Sequence, residues 1–174
     1  MQIIFSEREL EDFLCTDKNL EKYLGLKFIA RQVQISPAGI VDILAYHKPS
    51  NHFIIIELKK DLLDVNALIQ GISYLRYYQE LRSFNYVHRR KSRNFSLLLI
   101  GQNIDVGLIK TTNRYCKDET FENNKIYHSL FGIDFDKGIS FEFHNSSHTD
   151  YQDRIEDIRD NFETHAYNKF NTRF

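Results

Sequence analysis

Three stretches of this sequence predict an α/β domain, a mixed β-sheet flanked by helices. Gly39 to Lys60 reads as two apolar strands folded back on each other. Val65 to about Leu81 carries Leu68, Ile72, Leu75 and Tyr78 at the spacing of a long amphipathic helix, with Asp64 placed to cap it. Phe95 to Ile100 is a continuous apolar run, the pattern of a strand buried on both faces. A helix between two strands brings the second into the sheet in parallel, whereas hairpin strands pair antiparallel, so the sheet is mixed.

Taken in order, Ser6 and Glu9 form a capping box for a first helix, and Phe5 and Leu10 occupy the positions of a hydrophobic staple. Leu10, Phe13 and Leu14 make its buried stripe, and Glu7 lies in the first turn, where the helix dipole favours an acid. Asp17 is placed to cap a second short helix with Leu20, Tyr23 and Leu24 inward, closed by Gly25. From Leu26 to Ser36, Ile29, Val33 and Ile35 alternate with polar residues, as in a half-buried antiparallel strand, and Pro37-Ala38-Gly39 ends it. With the hairpin that follows, three consecutive strands form a meander. Beyond Gly101, Asp105 caps a helix through Val106, Ile109 and Tyr115, Lys125 to Phe131 reads as a strand, and Asp134 to Gly138 as a hairpin turn before Ile139 to Phe143.

The hairpin holds charges where a core strand should have none. Asp42 lies within Ile40-Val41-Asp42-Ile43-Leu44, and Phe53, Ile55, Glu57 and Lys59 share one face of the second strand. Lys48-Pro49-Ser50-Asn51 is the breaker between the strands, and a bend centred there makes opposed positions sum to 99, setting Asp42 against Glu57. Directly opposed side chains have Cβ atoms roughly 5 Å apart. Two carboxylates that close repel unless a positive charge lies between them, and a divalent cation with oxygen ligands suits the gap. Lys59, about 7 Å along the strand from Glu57, suits a water or phosphate beside it. The plainer reading makes Glu57 to Lys60 the solvated end of an edge strand, but it leaves Asp42 without an explanation.

Asp42, followed after fourteen residues by Glu57-Leu58-Lys59, resembles the D-x(n)-E-x-K signature of the PD-(D/E)XK nuclease superfamily, whose fold is called restriction-endonuclease-like. Gln70 and Tyr74 on the next helix resemble the Q-xxx-Y element of several of its branches, and the whole is most similar to NucS-like, RecB-type nuclease domains. Ser6-Glu7-Arg8-Glu9-Leu10 resembles the first helix of archaeal junction resolvases, whose acidic residue completes the site. Val41 departs from the Pro of the superfamily name. The resemblance covers about residues 6–101, with 102–174 as an extension of the same domain. It implies a metal-dependent deoxyribonuclease, with an endonuclease favoured over an exonuclease. Asp42, Glu57 and the carbonyl of Leu58 would hold Mg²⁺, or Mn²⁺ in its place. Lys59 would orient the attacking water or stabilise charge, Gln70 would bond near the carboxylates or a substrate phosphate, and Glu7 would complete the set through a water. Relatives that lose this site keep the scaffold, so a non-cleaving nucleic-acid-binding or assembly subunit is the alternative.

Arg82 to Arg93 is the basic run of the chain, and Arg89, Arg90, Lys91 and Arg93 are its candidate phosphate contacts, equally readable as a solvated loop. Tyr74 is counted with these nucleic-acid contacts or as packing behind Gln70. DNA is the expected partner, with RNA open and a homodimer suited to cutting both strands. Net charge is −1 with pI near 6.7, which excludes a global field that draws the protein to a polyanion. Phosphate-loop and dinucleotide glycine patterns are absent, and no apolar run approaches a membrane span. Cys15 and Cys116 have neither metal-pair spacing nor disulfide density, so a reducing, cytoplasmic setting is expected. His144 and His148 lack a Cys partner and read as surface residues. In 150–174, Tyr151, Ile155, Ile158 and Phe162 at helical spacing suit either a cover for the sheet or a dimer contact.

Overall fold

The computed structural model describes residues 6–35, 37–86, 94–115, 125–134 and 138–144. Helices α1 (Glu7–Cys15) and α2 (Asn19–Leu24) lead into the meander β1 (Lys27–Ile35), β2 (Gly39–His47) and β3 (His52–Leu58). A short β4 (Leu62–Leu63) precedes the long helix α3 (Val65–Tyr86), which returns the chain to β5 (Asn94–Gly101). Then come β6 (Asn103–Ile104), α4 (Val106–Tyr115), β7 (Ile126–Asp134) and β8 (Gly138–His144). Among the described residues the main sheet has six strands in the order β1-β2-β3-β5-β7-β8. Its centre, β3-β5-β7, is parallel, and both flanks are antiparallel. The expected mixed sheet is thus present, with β4 and β6 forming a second, two-stranded parallel sheet.

Strand period and helix stripes build the two layers around it. Ile54, Ile56 and Leu58 of β3 join Leu10 and Leu14 of α1 and Leu20 and Leu24 of α2 in one apolar cluster. Ile55 joins Leu68, Ile72 and Leu75 of α3, Leu97 and Leu99 of β5 and Leu108 of α4 in the other. Each such side chain fully buried contributes about 1.5–3 kcal/mol, so both faces of β3 and β5 are held by the helices they meet. The capping box of α1 is complete, with Ser6 Oγ accepting from Glu9 N and Glu9 Oε2 accepting from Ser6 N at 2.8 Å.

Three local expectations change. Asp17 does not cap α2; it and Lys18 both adopt left-handed φ, of 50° and 59°, and Lys18 occupies the cap position without a side-chain bond. Asn19 instead turns its amide back to Phe13 O at 2.8 Å, closing α1 so tightly that the cap position of α2 falls one residue later. Ile29 is 44% exposed, because the β1–β2 register slips between Phe28 and Ala30. Helix α3 continues past Leu81 to Tyr86, so the beginning of the basic stretch is helical. Residues 87–93, Phe5, Cys116, the 135–137 turn, His148 and the 150–174 segment lie outside the described residues.

Close packing of α3 on β5 depends on Gly71, where an added Cβ would stand 2.6 Å from Leu97 Cδ1 in the buried core. Gly71→Ala is expected to lower the unfolding free energy by about 1–3 kcal/mol in a urea titration; an unchanged midpoint would show that helix and strand are not in close contact there.

Candidate active site

The β2–β3 hairpin turns through Lys48–Asn51, and its ladder pairs Ile43 with Ile56, Leu44 with Ile55 and His47 with His52. Continuing that register by one step sets Asp42 opposite Glu57, as the position of the turn requires. Asp42 Oδ2 accepts from Leu58 N at 2.8 Å, which fixes its carboxylate against the end of β3. Lys59 Nζ donates to Glu57 Oε1 at 2.8 Å, and Lys59 N donates to Ile100 O at 2.8 Å, extending the β3–β5 ladder beyond Leu58. The three charged side chains therefore meet at the carboxyl end of β3, where open α/β sheets place their ligands.

Two helices converge on this end. Glu7, at the start of α1, accepts from Lys60 N at 3.1 Å, and its charge acts on Asp42, Glu57 and Lys59. From α3, Gln70 Nε2 donates to Tyr74 Oη at 2.7 Å, and Tyr74 Oη donates to Ile40 O at 2.7 Å. Tyr74 is 1% exposed, so it cannot contact a nucleic acid. The chain Gln70-Tyr74-Ile40 instead ties α3 to β2 two residues before Asp42. Gly39 permits this contact through φ of +125°, with its Cβ position 3.2 Å from Tyr74 Oη. Leu58 has a fully buried side chain, so only its backbone reaches the site. Arg89, Arg90, Lys91 and Arg93 lie outside the described residues.

Two residues escaped the sequence analysis. Gln32 Nε2 stands 2.7 Å from Glu11 Oε2 and 3.5 Å from Asp42 Oδ1. Glu11 is 8% exposed and lies one helical turn after Glu7 on the same face of α1. That spacing was its available signal; Gln32 had none, since amides are ordinary on an exposed strand face.

Burial dominates the electrostatics. It pushes the Glu57 carboxyl up from 4.5 to about 7, helped by the charge of Asp42 and opposed by Lys59. Burial also raises Asp42, against the Leu58 N–H and Lys59. Burial pulls the Lys59 ammonium down, but its bond to Glu57 and the charges of Glu57, Glu7 and Asp42 outweigh it, and the net shift is upward.

Glu57 Oε2 is buried without a hydrogen-bond partner. An orphaned carboxylate oxygen beside a second carboxylate fits a hard cation with oxygen ligands. Among the described residues, no three His, Cys, Asp or Glu side chains are grouped to hold an ion alone. Mg²⁺ keeps several waters and takes one or two carboxylates, and Asp42 and Glu57 are the two side chains here that could supply them.

Residues 6–91 match the model of the endonuclease NucS C-terminal domain family. These residues, just under half of the chain, are similar to that family. The matched stretch contains Asp42, Glu57, Lys59, Gln70 and Tyr74, the residues that carried the NucS-like resemblance, and Glu7, which carried the junction-resolvase one. The endonuclease NucS of Methanocaldococcus jannaschii is 38% identical over 74 residues, 42% of this chain and 27% of that protein. An EndoMS–dsDNA complex shares the fold with a TM-score of 0.53 at 18% identity, over 75% of this chain and 46% of that one. A repair endonuclease from Pyrococcus abyssi does so with a TM-score of 0.50 at 21% identity, over 72% and 47%. The chain thus spans about a quarter of the curated relative and under half of either solved chain.

A carboxyl group that binds its proton more tightly folded than unfolded stabilises the fold only while protonated. The metal-free protein should lose stability as pH rises from 4.5 through about 7, by up to roughly 3 kcal/mol from Glu57. Urea unfolding in EDTA across that window checks this. Glu57→Gln should flatten the part of the curve nearest neutrality, and an equal slope in both proteins would contradict the assignment.

Proposed function

We propose that this chain is a Mg²⁺-dependent nuclease that hydrolyses phosphodiester bonds in DNA, cutting internally. The observation that carries the reading is the buried Glu57 carboxylate, its Oε2 unpartnered, beside Asp42 and Lys59 at one end of the sheet. The match of residues 6–91 to the model of an endonuclease domain family supports the reaction class. The names of the relatives, a repair endonuclease and a complex with double-stranded DNA, support duplex DNA as the substrate and repair as the setting.

In this reading Asp42, Glu57 and the Leu58 carbonyl hold the ion, and Glu7 reaches it through a water. Bound there, Mg²⁺ would lower the pKa of a coordinated water and offset charge on the scissile phosphate. Lys59 has three N–H donors, only one of them given to Glu57, and its side chain is 27% exposed. It can therefore hold the attacking water or a phosphate oxygen while remaining anchored at the carboxylate pair, and a fixed cation there favours the more negative transition state. Gln70, its carboxamide oriented by Tyr74, positions substrate from the helix side. The basic residues Arg89, Arg90, Lys91 and Arg93 are proposed as backbone contacts, and a pair of copies would serve the two strands of a duplex.

Labelled single-stranded, duplex and branched DNA, and RNA, incubated with Mg²⁺ or Mn²⁺ test the proposal. Cleavage of DNA is expected, abolished by EDTA and reduced about 10²–10³-fold in Lys59→Ala. Cleavage that survives either treatment would remove the reading. DNA binding without cutting would favour the non-cleaving subunit.

A further inference from the structure

We propose that Gln32 is a positioning residue of this site, its carboxamide bridging Glu11 and Asp42 so that the Asp42 carboxylate is held from both sides. The inference rests on the metal-binding reading of Asp42 and Glu57 given above.

Strand β1 pairs Arg31 with Ile43 and Val33 with Val41, so Gln32 lies between them, opposite Asp42. Its φ is +50°, a left-handed conformation uncommon for any residue but glycine and foreign to a strand. The irregularity of this ladder lies elsewhere, between Phe28 and Ala30, and the register is the same on both sides of Gln32. The left-handed residue therefore absorbs no extra residue and corrects no slip. What it changes is the direction of one side chain.

That side chain ends between two acids. Its Nε2 lies 2.7 Å from Glu11 Oε2 and, at a longer reach, 3.5 Å from Asp42 Oδ1. A carboxamide nitrogen carries two N–H donors, enough for one to each acid. Glu11 and Asp42 repel each other, and Glu11 is nearly buried, so a neutral double donor is the group that can stand between them without cancelling the charge a cation needs. The other Asp42 oxygen, Oδ2, already accepts from Leu58 N at 2.8 Å. With a donor on each oxygen, the plane of the carboxylate is set while its remaining lone pairs stay available. Arg31, next in sequence, meets Asp12 and the other Glu11 oxygen, so Glu11 is itself held in place for the bridge.

A purely structural Gln32 would do no more than fasten α1 to β1, and the two roles separate in one experiment. Mn²⁺ binding to the whole chain is measured by calorimetry for wild type, Gln32→Asn and Gln32→Gly, alongside thermal unfolding in EDTA. Asn tolerates the left-handed backbone but is one methylene short of the bridge, and Gly removes the side chain while fitting the backbone. Both variants are expected to bind Mn²⁺ about 10-fold more weakly while still unfolding cooperatively, the usual effect of removing an outer partner of a metal ligand. Unchanged Mn²⁺ affinity in Gln32→Asn and Gln32→Gly, whatever their midpoints, overturns the inference and leaves the nuclease reading standing. A wild type that binds no Mn²⁺ overturns both. Weakened binding in a protein that cuts no DNA keeps the positioning role and removes the nuclease reading.

Discussion

Placing Asp42 and Glu57 on opposed positions of one hairpin is the constraint on which the local structure depends. Charge in a sheet is tolerated only when it is hydrogen-bonded or paired, and this structure supplies partners from every side. The Leu58 N–H meets Asp42, Lys59 meets Glu57, and the β3–β5 ladder holds the Lys59 backbone in place. One oxygen, Glu57 Oε2, is left out, and the metal-binding proposal rests on that deficit. A fully satisfied ion pair would have been a structural feature and nothing more.

The surrounding elements serve the same end of the sheet. Burying Ile54 to Leu58 on both faces makes β3 a rigid central strand. Its carboxyl end is the point at which α1 and α3, packed on opposite faces, both arrive. Helix α1 delivers Glu7 and Glu11, and α3 delivers Gln70 and, behind it, Tyr74. Tyr74 shows how packing and site are joined: its ring fills the core while its hydroxyl grips Ile40 O, two residues from Asp42. The requirement reaches back to Gly39, whose missing Cβ leaves room for that ring.

Much of this was legible in the chain because the signals are short-range. Strand alternation and the breaker Lys48–Asn51 fixed the hairpin register, and with it the meeting of Asp42 and Glu57. Helix spacing located α3 and its stripe, and the capping box located α1. The misreadings were also local. Asp17 has the chemistry of a cap, but the tight closure of α1 by Asn19 moved the cap position onto Lys18. Ile29 has the pattern of a core residue, and a register slip turned it to the surface.

By itself, the sequence determined which residues alternate, which cap and which pair across a tight turn, since each depends on neighbours a few positions away. It therefore contained the mixed sheet and the trio Asp42, Glu57 and Lys59. Tertiary structure alone decided that Glu7 reaches the carboxyl end of β3, that Glu11 is buried beside it, that Tyr74 is a core residue rather than a surface contact, and that Gln32 turns toward two acids. Those facts depend on how α1 and α3 settle against the sheet and on one left-handed backbone angle. Apart from the one-turn spacing of Glu7 and Glu11, no spacing along the chain encodes them, because the partners are brought together by packing.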